Sequence, residues 1–491
     1  MSSENNSLPN ARQPKSLSGI IQTVALVAIV GVIGYAVLQR LGFIGGMPID
    51  AQVAATVGGS YPTKKPKALK AYLSDDDPKL KIDDMPPGKW KIVDIHEHVQ
   101  NEEEAVRLLH AMDKVGVQRV ALQAATIYTF TLNNKYGFEQ YEENNKAIID
   151  IKKKWPDRFS AFITFDPLSP THLDLVKKAV ADGADGVKLF IGHGAATGKG
   201  PFHVMPIDDA RLEPFWAYAE ETQLPVLMHV NLIKYWDETI SLLEKHPNLR
   251  LCLPHFGLHK NTEARLARLG WILDRYPNVY SDMSYGYYTF QIEGFEALSK
   301  YRTRSRLWLQ KHADKLMFAS DMVLEKTKTE EYIIDTLRSY RQWNEMKAFR
   351  LYLVPSATMH GMELDDDSLK KIYETAPANF LLSDASGALP DRTKGPPTVE
   401  RKTLPPIDLE SIPDDTQYVP RTDGKAYGSA KSLARAATAK PAGDDDKSET
   451  KGGGGEGPEG EHVGHTDCEG EGAAPDVDVD ANGRGVGESD G

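Results

Sequence analysis

The sequence predicts an α/β protein: a (β/α)8 TIM barrel with an amino-terminal transmembrane helix and a disordered carboxyl-terminal tail. Three observations predict it. Between residues 90 and 350, short β-branched apolar runs alternate with amphipathic stretches, the pattern of βα units on a parallel sheet. Eight such units occupy roughly 260 residues, the usual span of a (β/α)8 barrel. Both flanks change composition. Residues 17–38 carry no charge and approach the ~20 apolar residues that cross a hydrocarbon core. Residues 384–491 are rich in Pro, Gly, Asp, Glu and Ala and bury too little apolar surface to offset their ordering entropy. A doubly wound open sheet shares the alternation, and periodicity does not separate the two architectures.

Residues 1–16 are polar. The anchor is expected over 17–40. Its apolar run exceeds the ~7–15 residues of a secretory signal, so an uncleaved single-pass span is expected in preference to a buried core helix. Arg12 and Lys15 before the span outnumber Arg40 after it, which places the bulk of the chain outside the cytoplasm. Residues 41–87 read as a linker broken by Gly-Gly-Ser, Lys-Lys-Pro-Lys and Met-Pro-Pro-Gly. The barrel is expected over 88–383.

Its first strand, 91–95, follows a Pro-Pro-Gly breaker and closes on His96 and His98. A helix over 102–115 stops at Gly116. Strand 117–123 leads to a helix over 139–155, stopped by Pro156. Strand 159–165 precedes helix 173–182, and strand 186–191 precedes helix 208–222. Strand 225–230 with helix 238–245, and strand 249–254 with helix 262–276, follow. Strand 279–282 with helix 295–312, and strand 316–319 with helix 329–350, complete the barrel. One more amphipathic segment, 367–382, is expected to break at Pro377.

Chemistry in such a barrel sits at the carboxyl ends of the strands. His96 and His98 close the first strand. Side chains alternate along a strand, so both imidazoles share a face while Glu97 points away. Lys188 lies in the fourth strand, with His193 just past it. His229 closes the fifth, His255 the sixth and Asp321 the eighth. One such histidine reads equally well as a satisfied core residue. Several histidines and an aspartate ending separate apolar runs do not, because polar groups rarely end buried strands without partners. Imidazole and carboxylate donors suit a divalent ion such as Zn2+ with a position open to water, and the ion brings the pKa of that water toward 7. Asp321 is placed to take the water proton and pass it to a leaving group. His255 is placed to bond a substrate oxygen or to act as a second acid/base.

Six stretches carry a resemblance. They are 93–98 (Val-Asp-Ile-His-Glu-His), 155–159 (Trp-Pro-Asp-Arg-Phe), 186–189 (Gly-Val-Lys-Leu), 246–257 (His-Pro-Asn-Leu-Arg-Leu-Cys-Leu-Pro-His-Phe-Gly), 276–284 (Tyr-Pro-Asn-Val-Tyr-Ser-Asp-Met-Ser) and 316–321 (Leu-Met-Phe-Ala-Ser-Asp). With them, residues 90–382 resemble the amidohydrolase superfamily, in particular the amidohydrolase-2 branch that includes the aminocarboxymuconate-semialdehyde decarboxylase relatives. The resemblance implies that His96, His98, His229 and Asp321 hold one divalent metal, Zn2+ first, with His255 beside it as an acid/base or orienting group. For Lys188 it leaves a choice: carbamylated, the lysine bridges a second ion; otherwise it contacts substrate, packs, or snorkels to the surface. Ala319-Ser320 stands where Gly-Thr is more usual, and 376–379 (Ala-Pro-Ala-Asn) departs from the usual closing helix.

The implied function is metal-dependent hydrolysis of an amide, ester or lactone in a small molecule. Non-oxidative decarboxylation on the same ligands is the alternative. A barrel retained only for binding is a third reading, against which the intact ligand set counts. A formal charge of −12, concentrated near the carboxyl end, argues against a nucleic-acid binder. The glycine-rich stretch 192–200 lacks the ending of a phosphate-binding loop and reads as a mobile loop from which His193 or Lys199 reaches substrate. Tyr285, Tyr287 and Tyr288 either line the pocket or pack. Cys252 reads as core and Cys468 as tail, with no disulfide framework. Residues 478–483 copy the start of an EF-hand loop, but Ser489 stands at its twelfth position. His462, His465 and Cys468 belong with that acidic solvated tail. Oligomerisation stays open.

Overall fold

Eight parallel strands pair in chain order, each with the next. They are β1 (Ile92–Glu97), β2 (Val117–Gln123), β3 (Phe159–Ile163), β4 (Gly186–Gly192), β5 (Val226–Val230), β6 (Leu251–Leu253), β7 (Val279–Asp282) and β8 (Leu316–Met317). The computed structural model describes residues 88–131, 138–192, 205–258, 263–286, 288–351, 358–408 and 411–413. The expected span at 17–40, the linker at 41–87, His193, Lys199, Tyr287 and the tail beyond 413 lie outside the described residues. Among the described residues no helix is long and apolar enough to cross a membrane.

Each strand feeds a helix on the outside. The main ones are α1 (Glu102–Val115), α2 (Tyr141–Lys154), α3 (His172–Ala181), α4 (Glu213–Thr222), α5 (Trp236–Lys245), α6 (Glu263–Arg275), α7 (Tyr288–Lys300), α8 (Arg302–Lys311) and α9 (Glu330–Glu345). Local chemistry sets their ends. Asn101 accepts the Glu104 amide at the start of α1, three glutamates fill its first turn, and Gly116 donates back to Met112 O at its end. Thr329 caps α9 in the same way through Tyr332 N–H.

The last strand returns to the first. Ile95 N–H donates to Phe318 O (3.0 Å), Asp321 N–H to His96 O (2.7 Å) and Leu324 N–H to His98 O (2.8 Å). The barrel interior is filled by Ile95, Ala121, Phe162, Leu227, Cys252, Tyr280 and Met317 from seven strands. Phe380, from α10 (Ala376–Leu381), joins this cluster and stacks on Phe162. Arg250, just before β6, donates to Asn379 O at 2.5 Å, which puts α10 under the amino-terminal end of the barrel.

The structure departs from the sequence expectations in four places. The helix expected over 295–312 is two helices, because Tyr301 leaves helical geometry (φ −113°, ψ 39°). The helix expected over 329–350 ends at Glu345, and Ala348–Arg350 turns into a short strand paired antiparallel with Thr358–His360. Pro377 does not break its segment. A π turn at Lys371–Thr375 precedes it, with Ala376 N–H bonded to Lys371 O, and the proline then occupies the first turn of α10, where a missing N–H costs little. Finally, the tail expected from 384 begins as an ordered strap. Arg392 is buried and donates to Thr222 O (3.1 Å) and Gln223 O (2.9 Å); Lys402 N–H donates to Asn248 Oδ1 (2.7 Å); Ile412 is buried in the main core. Composition averages over a window and cannot register a few anchoring side chains in a polar segment.

Candidate metal centre

Side chains from six strands and the residues that follow them meet in one buried cluster: His96 of β1 and His98 just after it, Lys188 within β4, His229 of β5, His255 after β6, Asp282 of β7 and Asp321 after β8. The strand β1 is not regular there. Asp94 pairs with Val120 and Glu97 with Leu122, so three residues advance against two. Such a bulge re-aims a side chain. It lets Ile95 fill the barrel interior while its neighbour His96 still reaches the site, where the His96 ring stacks on His255 with centroids 5.1 Å apart.

Two positions are held in left-handed backbone. His255 (φ 58°) and Phe256 (φ 54°) form a turn directly after β6, and Asp321 (φ 47°) and Val323 (φ 51°) lie in the loop after β8. Each non-glycine residue there costs roughly 1–2 kcal/mol, and such strain persists only where surrounding bonds over-determine it. The surroundings are tight. A Cβ on Gly192 would lie 2.2 Å from His229 O, and one on Gly286 (φ +63°) would lie 2.5 Å from Asp321 Oδ2.

The donor atoms converge in two triads sharing His96. One is His96, His98 and Asp321; the other is His96, His229 and His255, and within each the ligand atoms lie within 4.8 Å of one another. His98 and Asp321 therefore do not share a tight triad with His229. Asp321 Oδ1 is buried with no hydrogen bond, 3.5 Å from His96 Nε2 and 3.4 Å from His98 Nε2. Donors bound tetrahedrally at ~2.0–2.2 Å stand about 3.3–3.6 Å apart, so this spacing suits atoms sharing one cation. His229 Nε2 and His255 Nε2 are 2.9 Å apart, and His255 Nε2 is 3.4 Å from Asp321 Oδ2. Lys188 does not snorkel. It is fully buried, with Nζ 2.7 Å from His96 Nε2 and 3.3 Å from His229 Nε2.

The electrostatics agree with a ligand set. Burial, then the Lys188 ammonium, pushes the His96 and His98 imidazoles well below their usual range, so both are neutral donors. Burial pushes the Lys188 ammonium down to about 8, against the pull of Asp321 and Asp282. Burial also drives the Asp321 carboxyl well above the usual range, with Lys188 opposing. A buried carboxylate with an unpartnered oxygen is costly, and a cation compensates it.

Sequence reasoning missed Asp282 and Ser284. Asp282 Oδ2 lies 2.8 Å from His96 Nδ1, and its Oδ1 accepts the His255 amide (3.1 Å) and the Ser284 hydroxyl (2.6 Å). Ser284 Oγ lies 2.8 Å from His255 Nδ1. Carboxylates that bond the far nitrogen of a ligating imidazole fix its tautomer and aim. The signal was present, since Asp282 ends β7 as Asp321 follows β8. Tyr285 packs rather than lines the pocket: it is fully buried, with its ring 5.2 Å from that of Phe295. An apolar wall flanks the donors instead. Phe130 meets His98 edge-on at 6.4 Å, Phe190 meets His229 at 5.4 Å, and Ala125 and Val323 pack with them.

Fold and site together define a class: eight-stranded parallel barrels with a histidine- and aspartate-rich centre at the carboxyl ends of the strands. The chain belongs to the amidohydrolase family described as Amidohydro_2, which matches residues 93–382. Among solved structures it is similar to an uncharacterised TIM-barrel protein of Bordetella bronchiseptica (14% identity, 59% of this chain and 98% of that one, TM-score 0.41). It is also similar to 2,6-dihydroxybenzoate decarboxylase from Rhizobium (16%, 60% and 99%, TM-score 0.38) and to 4-oxalomesaconate hydratase from Rhodopseudomonas palustris (14%, 59% and 95%, TM-score 0.39). No curated protein matches the chain. Membership of this family supports metal-dependent catalysis on a small molecule.

Proposed function

We propose that the protein is a metal-dependent hydrolase that cleaves an amide, ester or lactone bond of a small molecule. The observation that carries this reading is the buried, unbonded Asp321 Oδ1 poised between His96 Nε2 and His98 Nε2. His96, His98 and Asp321 would hold one divalent ion, joined by His229 from the triad it forms with His96 and His255, with Zn2+ the first candidate for imidazole and carboxylate donors. When bound, such an ion supplies Lewis-acid activation of water and of a substrate oxygen.

The remaining work falls to the chain's own groups. Asp321 takes a proton from the attacking water and returns it to the leaving nitrogen or oxygen as the acyl bond breaks. His255, held at Nδ1 by Ser284, directs Nε2 toward Asp321 and is placed to bond the substrate oxygen. Asp282 fixes His96 with Nε2 facing the site. The wall of Phe130 and Phe190 excludes water from one side and favours an apolar substrate face.

Non-oxidative decarboxylation is the second reading, favoured by Lys188, a buried ammonium beside the donors that would pair with a substrate carboxylate. Metal analysis of the purified protein, with His96→Ala and Asp321→Asn beside it, tests the shared premise. Stoichiometric divalent metal is expected in the wild type and its loss in His96→Ala. A wild type without bound transition metal, or turnover that survives exhaustive chelation, overturns the proposal. Release of CO2 from a panel of carboxylate substrates, in place of water-dependent cleavage, selects the second reading.

A further inference from the structure

The loop that carries Asp321 has almost no sheet of its own. Strand β8 ends at Met317, four residues earlier, and pairs with β7 only through Leu316 and Met317. Phe318 N–H turns to Ile372 O (3.4 Å), and beyond it β1 receives the amides of the residues around Asp321. Ser320 N–H donates to Asp94 Oδ1 (3.2 Å), Asp321 N–H to His96 O (2.7 Å), Met322 N–H to Glu97 Oε2 (2.9 Å) and Leu324 N–H to His98 O (2.8 Å). Backbone carbonyls and side-chain carboxylates alternate as acceptors. Asp94 and Glu97 thus supply what a regular ladder would have supplied, where the left-handed conformation of Asp321 and Val323 forbids one.

Asp94 accepts the His96 amide (3.0 Å) and the amide and hydroxyl of Ser320, so it reaches one side of Asp321, whereas Glu97 reaches both. Its Oε1 accepts the amide of His98 (2.7 Å), while its Oε2 accepts Met322 N–H and lies 3.0 Å from Ser320 Oγ. One fully buried carboxylate therefore grips a proposed ligand on β1 and both neighbours of a proposed ligand after β8. From this geometry we infer that Glu97 is a positioning residue that sets the spacing between His98 Nε2 and Asp321 Oδ1, and through it the metal affinity of the site. The inference rests on the metal reading above and deepens it. In the sequence Glu97 looked like the residue facing away from the chemistry; it faces away from the ion and toward the frame that holds the ion's ligands.

The test is Zn2+ affinity of the full-length protein, measured by competition with a chromophoric chelator at a temperature where each variant is folded. Glu97→Gln keeps the volume but puts an amide N–H2 against either His98 N–H or Met322 N–H, donor against donor. It is expected to weaken Zn2+ binding about 10–100-fold, the range for residues that orient metal ligands. A purely structural role predicts a lower melting temperature with unchanged affinity of the folded protein, and that result overturns the inference. Ser320→Ala removes only the shared hydroxyl and is expected to shift affinity in the same direction by less. Should Glu97→Gln fail to fold, unchanged affinity in Ser320→Ala overturns the inference instead. A wild-type chain that takes up no Zn2+ removes the metal reading and this inference together, whereas unchanged affinity in the variants removes this inference alone.

Discussion

Two buried aspartates at opposite ends of the barrel make opposite use of the same chemistry. Asp185 stands just before β4, at the amino-terminal end; its Oδ1 meets Lys152 Nζ at 2.6 Å and its Oδ2 accepts Ala161 N–H at 2.9 Å. Asp321 stands after β8, at the carboxyl-terminal end, and its Oδ1 accepts no hydrogen bond although His98 Nε2 and His96 Nε2 lie 3.4 and 3.5 Å away. Burial raises both carboxyls, but Lys152 offsets the cost for Asp185 by a direct bond, while Asp321 feels only the charge of Lys188, whose Nζ sits on His96 and His229. A saturated buried charge belongs to the frame, and an unsaturated one calls for an explanation, which a bound cation supplies at Asp321. At the amino-terminal end Arg392 of the strap likewise caps the carbonyls of Thr222 and Gln223.

The largest expected effect that would break this contrast is in Asp321→Asn. Turnover should fall about 10²–10⁴-fold, while the metal-free variant melts no lower than the metal-free wild type, because a neutral amide replaces a costly carboxylate. Kinetics and paired thermal melts check both halves; a variant that unfolds readily would make Asp321 a structural residue. Next comes Asp185→Asn, which takes the charged partner from Lys152 and leaves it only Gly183 O. The loss should be about 3 kcal/mol, the low end for a broken buried pair, because Lys152 keeps 19% side-chain exposure and can reach water. Denaturant titration measures it, and activity per folded molecule should stay near wild type.

Metal removal sharpens the comparison further. Saturating the wild type at 100 times Kd should stabilise it by about 2.7 kcal/mol over the chelated form, and the same addition should do far less for Asp321→Asn. The smallest effect is expected from Gly286→Ala. A methyl group there meets Asp321 Oδ2 at 2.5 Å in a left-handed backbone, and the displacement should lower turnover about tenfold, equivalent to roughly 1.4 kcal/mol. Unchanged turnover would mean that the Asp321 carboxylate has room to move.

Much of this was legible beforehand. Strands β1 to β5 and β7 lie where alternation placed them, within a residue or two, since apolar periodicity is a local property that burial imposes directly. The strand ends of the sequence point to His96, His98, His229, His255 and Asp321, with Lys188 inside the fourth strand, and the structure brings these six together. Asp282 ends β7 in the same way and was passed over. Strand β8 came out two residues long because Phe318 N–H turns to Ile372 O and Asp321 and Val323 take left-handed backbone, and no local pattern around residue 318 records partners so distant in the chain. The strap was lost for a related reason, as Arg392 and Ile412 are single anchors in a polar stretch.

The sequence by itself determined the alternating architecture and the chemical types at the strand ends, because periodicity and side-chain identity need only neighbours in the chain. Only the tertiary structure decided which atoms of those residues remain unsatisfied and how they are aimed. Joining β8 to β1 brings Ser320 against Asp94, 226 positions apart, and Met322 against Glu97, 225 apart. That closure puts Glu97 against Ser320 and Met322 and leaves Asp321 Oδ1 without a hydrogen bond. Hydrogen-bond saturation depends on every element that converges on an atom, so it exists only once the barrel is closed.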